Sequence, residues 1–228
     1  MTTVICLHGV SRTFEGEPPV EVLVNCDLEV HAGESVAVVG ASGAGKSTLL
    51  NVLGLLDRPT IGKYWLMGRD TTALHDHERS RLRAHCVSFV FQDSILLPHQ
   101  SVQENVELGQ LYKGIGRRER RGRAQAALEW VDLGHRRTAM PYTLSGGERQ
   151  RAAIARALAT VNPVILCDEP TGNLDSVATE RVLELLEKAR VHRGVTVVLI
   201  THDAEVAGRC TRRVHIRDGR LINDDRRE

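Results

Sequence analysis

The sequence predicts an α/β fold: a parallel sheet with a helical lobe set into it. Three observations carry that expectation. SVAVVG (35–40), VILCDE (164–169) and VTVVLITH (195–202) are short, continuous apolar runs, the pattern of strands buried on both faces. Between the last two lies a helical stripe after Asp175: Ala178, Val182, Leu185, Leu186 and Ala189 recur at helical spacing, with Glu184, Glu187 and Lys188 outside the set. Buried strands alternating with amphipathic helices make a parallel sheet. From about Asp93 to Thr160, by contrast, no strand pattern occurs.

The elements follow in order. Cys26, Leu28 and Val30 alternate with Asp27 and Glu29, the period of a half-buried strand, and Gly33 then breaks the chain. The buried strand 35–39 leads through a Gly-rich loop into a helical run, Thr48 to Leu56. VSFVF (87–91) is a further apolar run. In the central lobe, Ala124, Ala127, Leu128 and Val131 form a helical stripe, and LSGGERQR (144–151) places a hydroxyl and two glycines at the start of another helix. At the end, VHIRDGRLIND carries Asp218-Gly219, a hairpin turn signal.

Length and composition bound the function. At 228 residues the chain is one domain, 1–228, with room for an inserted lobe: 1–92 and 161–228 form the α/β core and 93–160 the lobe. A net charge of +1 lacks the basic excess of a nucleic-acid binder, so no nucleic-acid partner is expected. LLNVLGLL (49–56) is too short to span a bilayer, and MTTVICLHGV lacks the basic flank and apolar core of a signal peptide. The five cysteines are scattered without a C-x-x-C pair and read as small buried hydrophobes in a reducing compartment. The expected location is cytoplasmic.

GASGAGKS (40–47) fits the phosphate-loop pattern in full, between a buried strand and a helix. Glycines at 40, 43 and 45 let successive N–H groups, with those of Ala41, Ser42, Ala44 and Thr48 nearby, converge on phosphate oxygens. The helix N-terminus adds partial positive charge. Lys46 supplies a point charge for the outer phosphates, and the Ser47 hydroxyl can ligate Mg²⁺. The bland alternative is a Gly/Ser-rich turn that binds nothing.

VILCDEP supplies the other half. Two adjacent carboxylates ending an apolar strand point in different directions and cannot share one task. Asp168 is expected to hold Mg²⁺, directly or through water, and Glu169 to orient or deprotonate an attacking water. His202 ends the next buried strand, at the carboxyl edge where open α/β sheets bind ligands, and is read as a donor to a γ-phosphate. Gln92 follows VSFVF; its amide oxygen could ligate Mg²⁺ or its side chain bind the attacking water.

With these motifs in place, the chain resembles the ATP-binding-cassette (ABC) ATPases over essentially its whole length. GASGAGKST (40–48), FQD (91–93), LSGGERQ (144–150), VILCDEP (164–170), GNLD (172–175) and THD (201–203) carry the match, in order and spacing. The resemblance implies a P-loop NTPase (RecA-like) core, an N-terminal antiparallel β subdomain and an inserted α-helical subdomain. It implies ATP and Mg²⁺ as ligands and a head-to-tail homodimer. There Ser145, Gly146 and Gly147 contact the ATP held by the partner's phosphate loop, and Asp175 communicates across the interface. Gln92 would sense Mg²⁺ and the γ-phosphate and link the site to the helical lobe. Phe14 stands where the family has an aromatic that stacks on adenine; a core or loop aromatic is its alternative. No motif is degenerate, so hydrolysis is expected.

Within the family, LLNVLGLLDRPTIGKYWLMGRD (49–70) and DEPTGNLDS (168–176) resemble the MacB, LolD and FtsE group, with G-K-Y and G-R-D leaning toward MacB-like exporters. That likeness implies a membrane permease or transmission subunit as partner, docked on the 93–160 lobe beside Gln92, and a position on the inner face of the cell membrane. A soluble ABC ATPase of DNA repair or translation and a non-hydrolysing scaffold of a division complex are the competing readings. The intact Glu169 and His202 weigh against the scaffold. Three features are read as unremarkable surface: RRERRGR (117–123) as a solvated helix face, HDH (75–77) as a solvated loop and DRRE (225–228) as a frayed tail.

Overall fold

The computed structural model describes residues 2–226. Two strands, β1 (Thr3–Phe14) and β2 (Val20–His31), open the chain and pair antiparallel. With β4 (Ile61–Leu66) and β5 (Arg69–Asp70) they form a four-stranded antiparallel sheet in the order β2-β1-β4-β5. The alternation read at 26–30 is real: Cys26, Leu28 and Val30 are buried, Asp27 and Glu29 exposed.

A second sheet has six strands: β3 (Ser35–Val39), β6 (Val87–Phe91), β7 (Val164–Asp168), β8 (Thr196–Thr201), β9 (Arg212–Arg217) and β10 (Arg220–Arg226). Their order is β10-β9-β3-β8-β7-β6, all parallel except β10, which returns antiparallel to β9. The sheet separates two cores. Ala37, Ile165, Cys167, Val197 and Leu199 pack on the side of the helical lobe. Val36, Val38, Leu166, Val198 and Ile200 pack on the side of the antiparallel sheet. Adjacent residues facing two dry layers are why these strands read as unbroken apolar runs.

Seven helices accompany the sheets: α1 (Lys46–Leu53), α2 (Asp76–Cys86), α3 (Val102–Leu108), α4 (Arg117–Trp130), α5 (Gly146–Ala159), α6 (Ser176–Arg193) and α7 (Ala204–Gly208). Residues 93–160 hold α3, α4, α5 and short 3₁₀ turns, with no strand. The stripe Ala124, Ala127, Leu128 and Val131 is fully buried among them. Among the described residues no helix is long and apolar enough to cross a membrane.

Four expectations need correcting. The helix after the phosphate loop starts at Lys46, not Thr48, and ends at Leu53; Gly54 caps it and Leu55 turns to φ 57°, so the apolar run outlasts the helix. HDH is the start of α2 rather than a loop: the chain turns at His75, and Glu78 bonds back to the His75 N–H. Cys6 and Cys86 are half-buried, while Cys26, Cys167 and Cys210 are buried as expected. DRRE is not frayed through its length, because β10 runs to Arg226; Arg227 and Glu228 lie outside the described residues. Asp224, just before that stretch, anchors the strand: it takes both Nε (2.6 Å) and Nη2 (2.5 Å) of buried Arg212, whose Nη1 reaches Glu29 O at 2.6 Å.

The lobe's loop 97–101 is built on one side chain. Asn105 is fully buried, accepts from Leu97 N at 2.7 Å and donates to the carbonyls of Leu97, Gln100 and Ser101 at 3.0–3.1 Å. Leucine has similar volume but none of these bonds, and leaving a buried donor or acceptor unpaired costs about 1–3 kcal/mol. Asn105→Leu should therefore lower the unfolding free energy by about that amount in a denaturant titration; an unchanged midpoint would show that water takes over the loop's polar groups.

Candidate functional site

The phosphate loop is held open from below. A Cβ on Gly40 would lie 2.4 Å from Ile216 O, and Gly45, at φ 101°, would place one 2.7 Å from Val22 O. The Asp218-Gly219 turn props the loop, with Gly219 N donating to Ala44 O at 3.1 Å. Lys46 is almost fully buried and folds back over its own loop, its Nζ donating to Gly40 O and Ala41 O at 2.8 Å each. Ser47 is exposed beside it.

A cavity of about 530 Å³ adjoins this loop. Lys46, Ser47, Asp168, Glu169 and His202 line it, so five of the chemical side chains expected from the sequence come together. Val22 of β2 lines it too; no sequence signal marked that residue. Asp168 ends β7 and its carboxyl is held above the usual carboxylate range, first by burial and then by the Glu169 charge, with Lys46 opposing. Glu169 sits one residue past the strand at φ 44°, a left-handed conformation unusual for a non-glycine. Its Oε1 meets His202 Nδ1 at 2.7 Å and its Oε2 accepts from Thr201 Oγ1 at 3.4 Å.

Two expected residues stand apart. Gln92 does not line the cavity; its Nε2 donates to Asn173 Oδ1 at 3.1 Å. Phe14 ends β1, 38% exposed, with the Arg12 guanidinium 4.4 Å from its ring centroid. One ring face is thus taken by a cation.

LSGG forms a different site. Ser145 caps α5: its Oγ accepts from Glu148 N at 3.2 Å, while its own N–H donates to Glu148 Oε2 at 2.8 Å. Residues 145–147 and Asp175 line a separate cavity of about 810 Å³, which shares no residue with the first. A Cβ on Gly147 would meet Ala178 Cβ at 3.0 Å, so the first turn of α5 packs tightly on α6. Asp175 caps α6, accepting from Ala178 N at 2.8 Å.

Gln150 has a place that its motif membership alone did not reveal. It is buried, donates to Phe91 O at 3.1 Å and accepts from Ser94 Oγ at 2.5 Å. Arg156, two turns on, donates to Ser94 O and Ile95 O. The helix that begins at the serine thus holds the segment after Gln92. Among the described residues no group of three His, Cys, Asp or Glu side chains could hold a metal; His75 and His77 merely stack, 6.1 Å apart.

A strand–loop–helix phosphate cradle with a paired carboxylate and a second helix-terminus cradle define a nucleotide-binding cassette. The chain belongs to the ABC transporter family, whose model matches residues 23–172, and it is an ATPase cassette of that family. It is 48% identical over 225 residues to the pyoverdine export ATP-binding/permease protein PvdT of Pseudomonas fluorescens, covering 98% of this chain and 34% of that protein. It is 46% identical to the macrolide export ATP-binding/permease protein MacB 2 of Aeromonas hydrophila, covering 98% and 35%. The chain thus spans about a third of the length of these relatives. Among solved structures it is similar to the ATP-binding cassette MJ0796, a dimer in a post-hydrolysis state bound to ADP and Pi. That match has 39% identity and a TM-score of 0.89, and covers 97% of this chain and 98% of that one.

The raised Asp168 pKa has a direct consequence. The folded chain binds this proton more tightly than the unfolded chain, so the carboxylate lowers stability at pH values above its folded pKa. Asp168→Asn should melt higher than the parent at neutral pH in chelator without nucleotide. That advantage should shrink as pH falls through the carboxylate range. Melting curves that keep the same separation from neutral to acid pH would rule this cause out.

Proposed function

We propose that this chain hydrolyses ATP in a head-to-tail pair with a second copy of itself, and that the pair drives an export system in the membrane. One observation carries the reading: the phosphate loop, Asp168, Glu169 and His202 share one cavity, while Ser145, Gly147 and Asp175 line another. A single chain therefore holds two half-sites, and each is completed by the opposite half of a partner. The dimeric MJ0796 structure supports the pairing, and the export relatives support the task.

In this reading Gly40 to Thr48 enclose the phosphates, Lys46 leaving its loop carbonyls for phosphate oxygens. Ser145, Gly146 and Gly147 meet the γ-phosphate from the partner side, at the positive end of α5. Phe14 stacks on adenine with its ring face opposite Arg12. The oxygen donors Ser47, Asp168 and Gln92 suit Mg²⁺, a hard cation that travels with the nucleotide and would neutralise charge developing on the phosphates. Glu169 takes the proton of the attacking water, its carboxylate aimed by His202 and Thr201. Residues 1–92 and 161–228 act as the core, and 93–160 as a lobe that docks the membrane partner at the inner face of the membrane.

A groove beside the Gln92 segment fits that docking role. It measures about 960 Å³ and is floored by Phe89, Phe91 and Ile95, with Tyr112 85% exposed at its edge. Arg81, Arg83, Lys113 and Arg156 line it, and among the described residues no carboxylate does. Three of the four bond to neutral groups: Arg83 donates to Leu55 O and Ser80 Oγ, Lys113 to Thr160 O and Asn162 Oδ1, Arg156 to Ser94 O and Ile95 O. Uncompensated cations around an apolar floor select an amphipathic segment that carries carboxylates.

Two experiments test this. Glu169→Gln with MgATP should accumulate as a dimer in light scattering, and adding Ser145→Arg should abolish that dimer while ATP affinity of the monomer stays within about twofold, because Ser145 serves the partner's site. A Glu169→Gln chain that stays monomeric in excess ATP would sink the paired reading. A photo-crosslinker at Tyr112, used in native membranes, should capture an acidic segment of a membrane protein. Capture of soluble proteins alone would return the chain to the non-transport ATPases.

A further inference from the structure

Gln92 is the end of a chain of three polar side chains. Its Nε2 donates to Asn173 Oδ1 at 3.1 Å, and Asn173 Nδ2 donates to Asp93 Oδ1 at 3.2 Å. A carboxylate only accepts, so Asp93 obliges Asn173 to present its amide N–H₂ there. Asn173 must then offer its oxygen to Gln92, and Gln92 must offer its N–H₂. The polarity of the whole chain follows from one charge. Gln92 is gripped by the end that cannot ligate a cation, and its Oε1 accepts no bond among the described residues. The grip is close: a Cβ on Gly172 would stand 2.8 Å from Gln92 Nε2.

Asn173 also stands in the second cavity. It lines that wall with Ser145, Gly147 and Asp175. One residue therefore belongs to the wall of the second cavity and to the bond that holds Gln92, which does not line the first cavity. Its acceptor and donor are both used by residues 92 and 93, and replacing it with aspartate would keep only the acceptor.

We infer that Asn173 is a positioning residue that latches Gln92 until the partner subunit seats. Pressure on the 172–175 turn breaks the Asn173–Gln92 bond, and Gln92 swings its free oxygen toward the cation that travels with ATP. The partner's arrival is thereby passed to the same segment, 91–95, that Gln150 and Arg156 hold. This inference rests on the head-to-tail reading above.

The test uses Glu169→Gln chains with ATP and Mn²⁺ as the cation, free Mn²⁺ being read by electron paramagnetic resonance and association by light scattering in the same samples. At dilutions that keep the chain monomeric, Asn173→Ala should bind Mn²⁺ about threefold to tenfold more tightly, the worth of one neutral hydrogen bond. Dimerisation should then tighten it little further, whereas the parent should gain on dimerising. Asp93→Asn, which leaves the 172–175 turn intact, should shift affinity the same way by less. In a Gln92→Ala background the effect of Asn173→Ala should vanish. An Asn173→Ala effect that persists without Gln92, or an equal gain on dimerising in variant and parent, would overturn the latch. Failure of the parent to dimerise would instead count against the paired reading itself.

Discussion

Everything at the first half-site depends on the register of three parallel strands. Val39 pairs with Thr201, and Asp168 with Ile200, so β3, β7 and β8 end within one residue of a common edge. Past that edge the chain must turn, and the turns carry the candidate site: Gly40, Glu169 and His202 are each the first residue beyond a strand. A one-residue slip would turn every side chain of a strand to the opposite face. It would also exchange the two cores, because alternate residues of β3, β7 and β8 are committed to different apolar layers. The packing that stabilises the sheet therefore fixes the register, and the register aligns the site. No separate device is needed to bring Asp168 opposite Lys46.

The strain at the edge is local and has a use. Glu169 leaves β7 through a left-handed turn, which is costly for a residue with a side chain. The turn is tied on both sides: Glu169 N donates to Ile200 O at 3.0 Å, and Gly172 N donates to Glu169 O at 3.0 Å. Without it the carboxylate would continue the alternation of the strand and face an apolar layer. With it, Asp168 and Glu169 both reach the cavity while pointing differently. The left-handed turn is thus the physical reason that two adjacent carboxylates line one cavity.

Much of this was legible in the sequence, for reasons that differ by region. The doubly buried strands announce themselves as apolar runs because both of their faces are dry. The phosphate loop is legible because only glycine fits where Ile216 O and Val22 O approach. The 26–30 strand shows plain alternation because one of its faces is wet. Boundaries were harder. The apolar run past Leu53 continues into a left-handed Leu55 that is still buried, and hydrophobicity alone cannot separate a helix from its exit. Long-range polar links were not legible at all. Gln150 finding Phe91 O and Asn173 finding Gln92 are contacts across 59 and 81 residues, and no periodicity marks them.

Those unmarked links hold the 91–95 segment to α5 and to the wall of the second cavity. The lobe is tied to the core at its far side by Arg181 to Asp132 and by Arg193 stacked 5.0 Å from the Trp130 ring, both from α6. On the near side it is tied by Gln150 and Arg156 to the 91–95 segment. Asp175 caps α6 and Ser145 caps α5, so both sets of ties start from helices whose N-termini line the second cavity. Two sets of bonds connect that cavity to the 91–95 segment, one through α5 at Gln150 and one through the 172–175 turn at Asn173. The groove floor includes Phe91 and Ile95, the outer members of that same segment. The α5 helix, bonded to the 91–95 segment, thus connects the second cavity to the groove, and Gln92 lies within that segment.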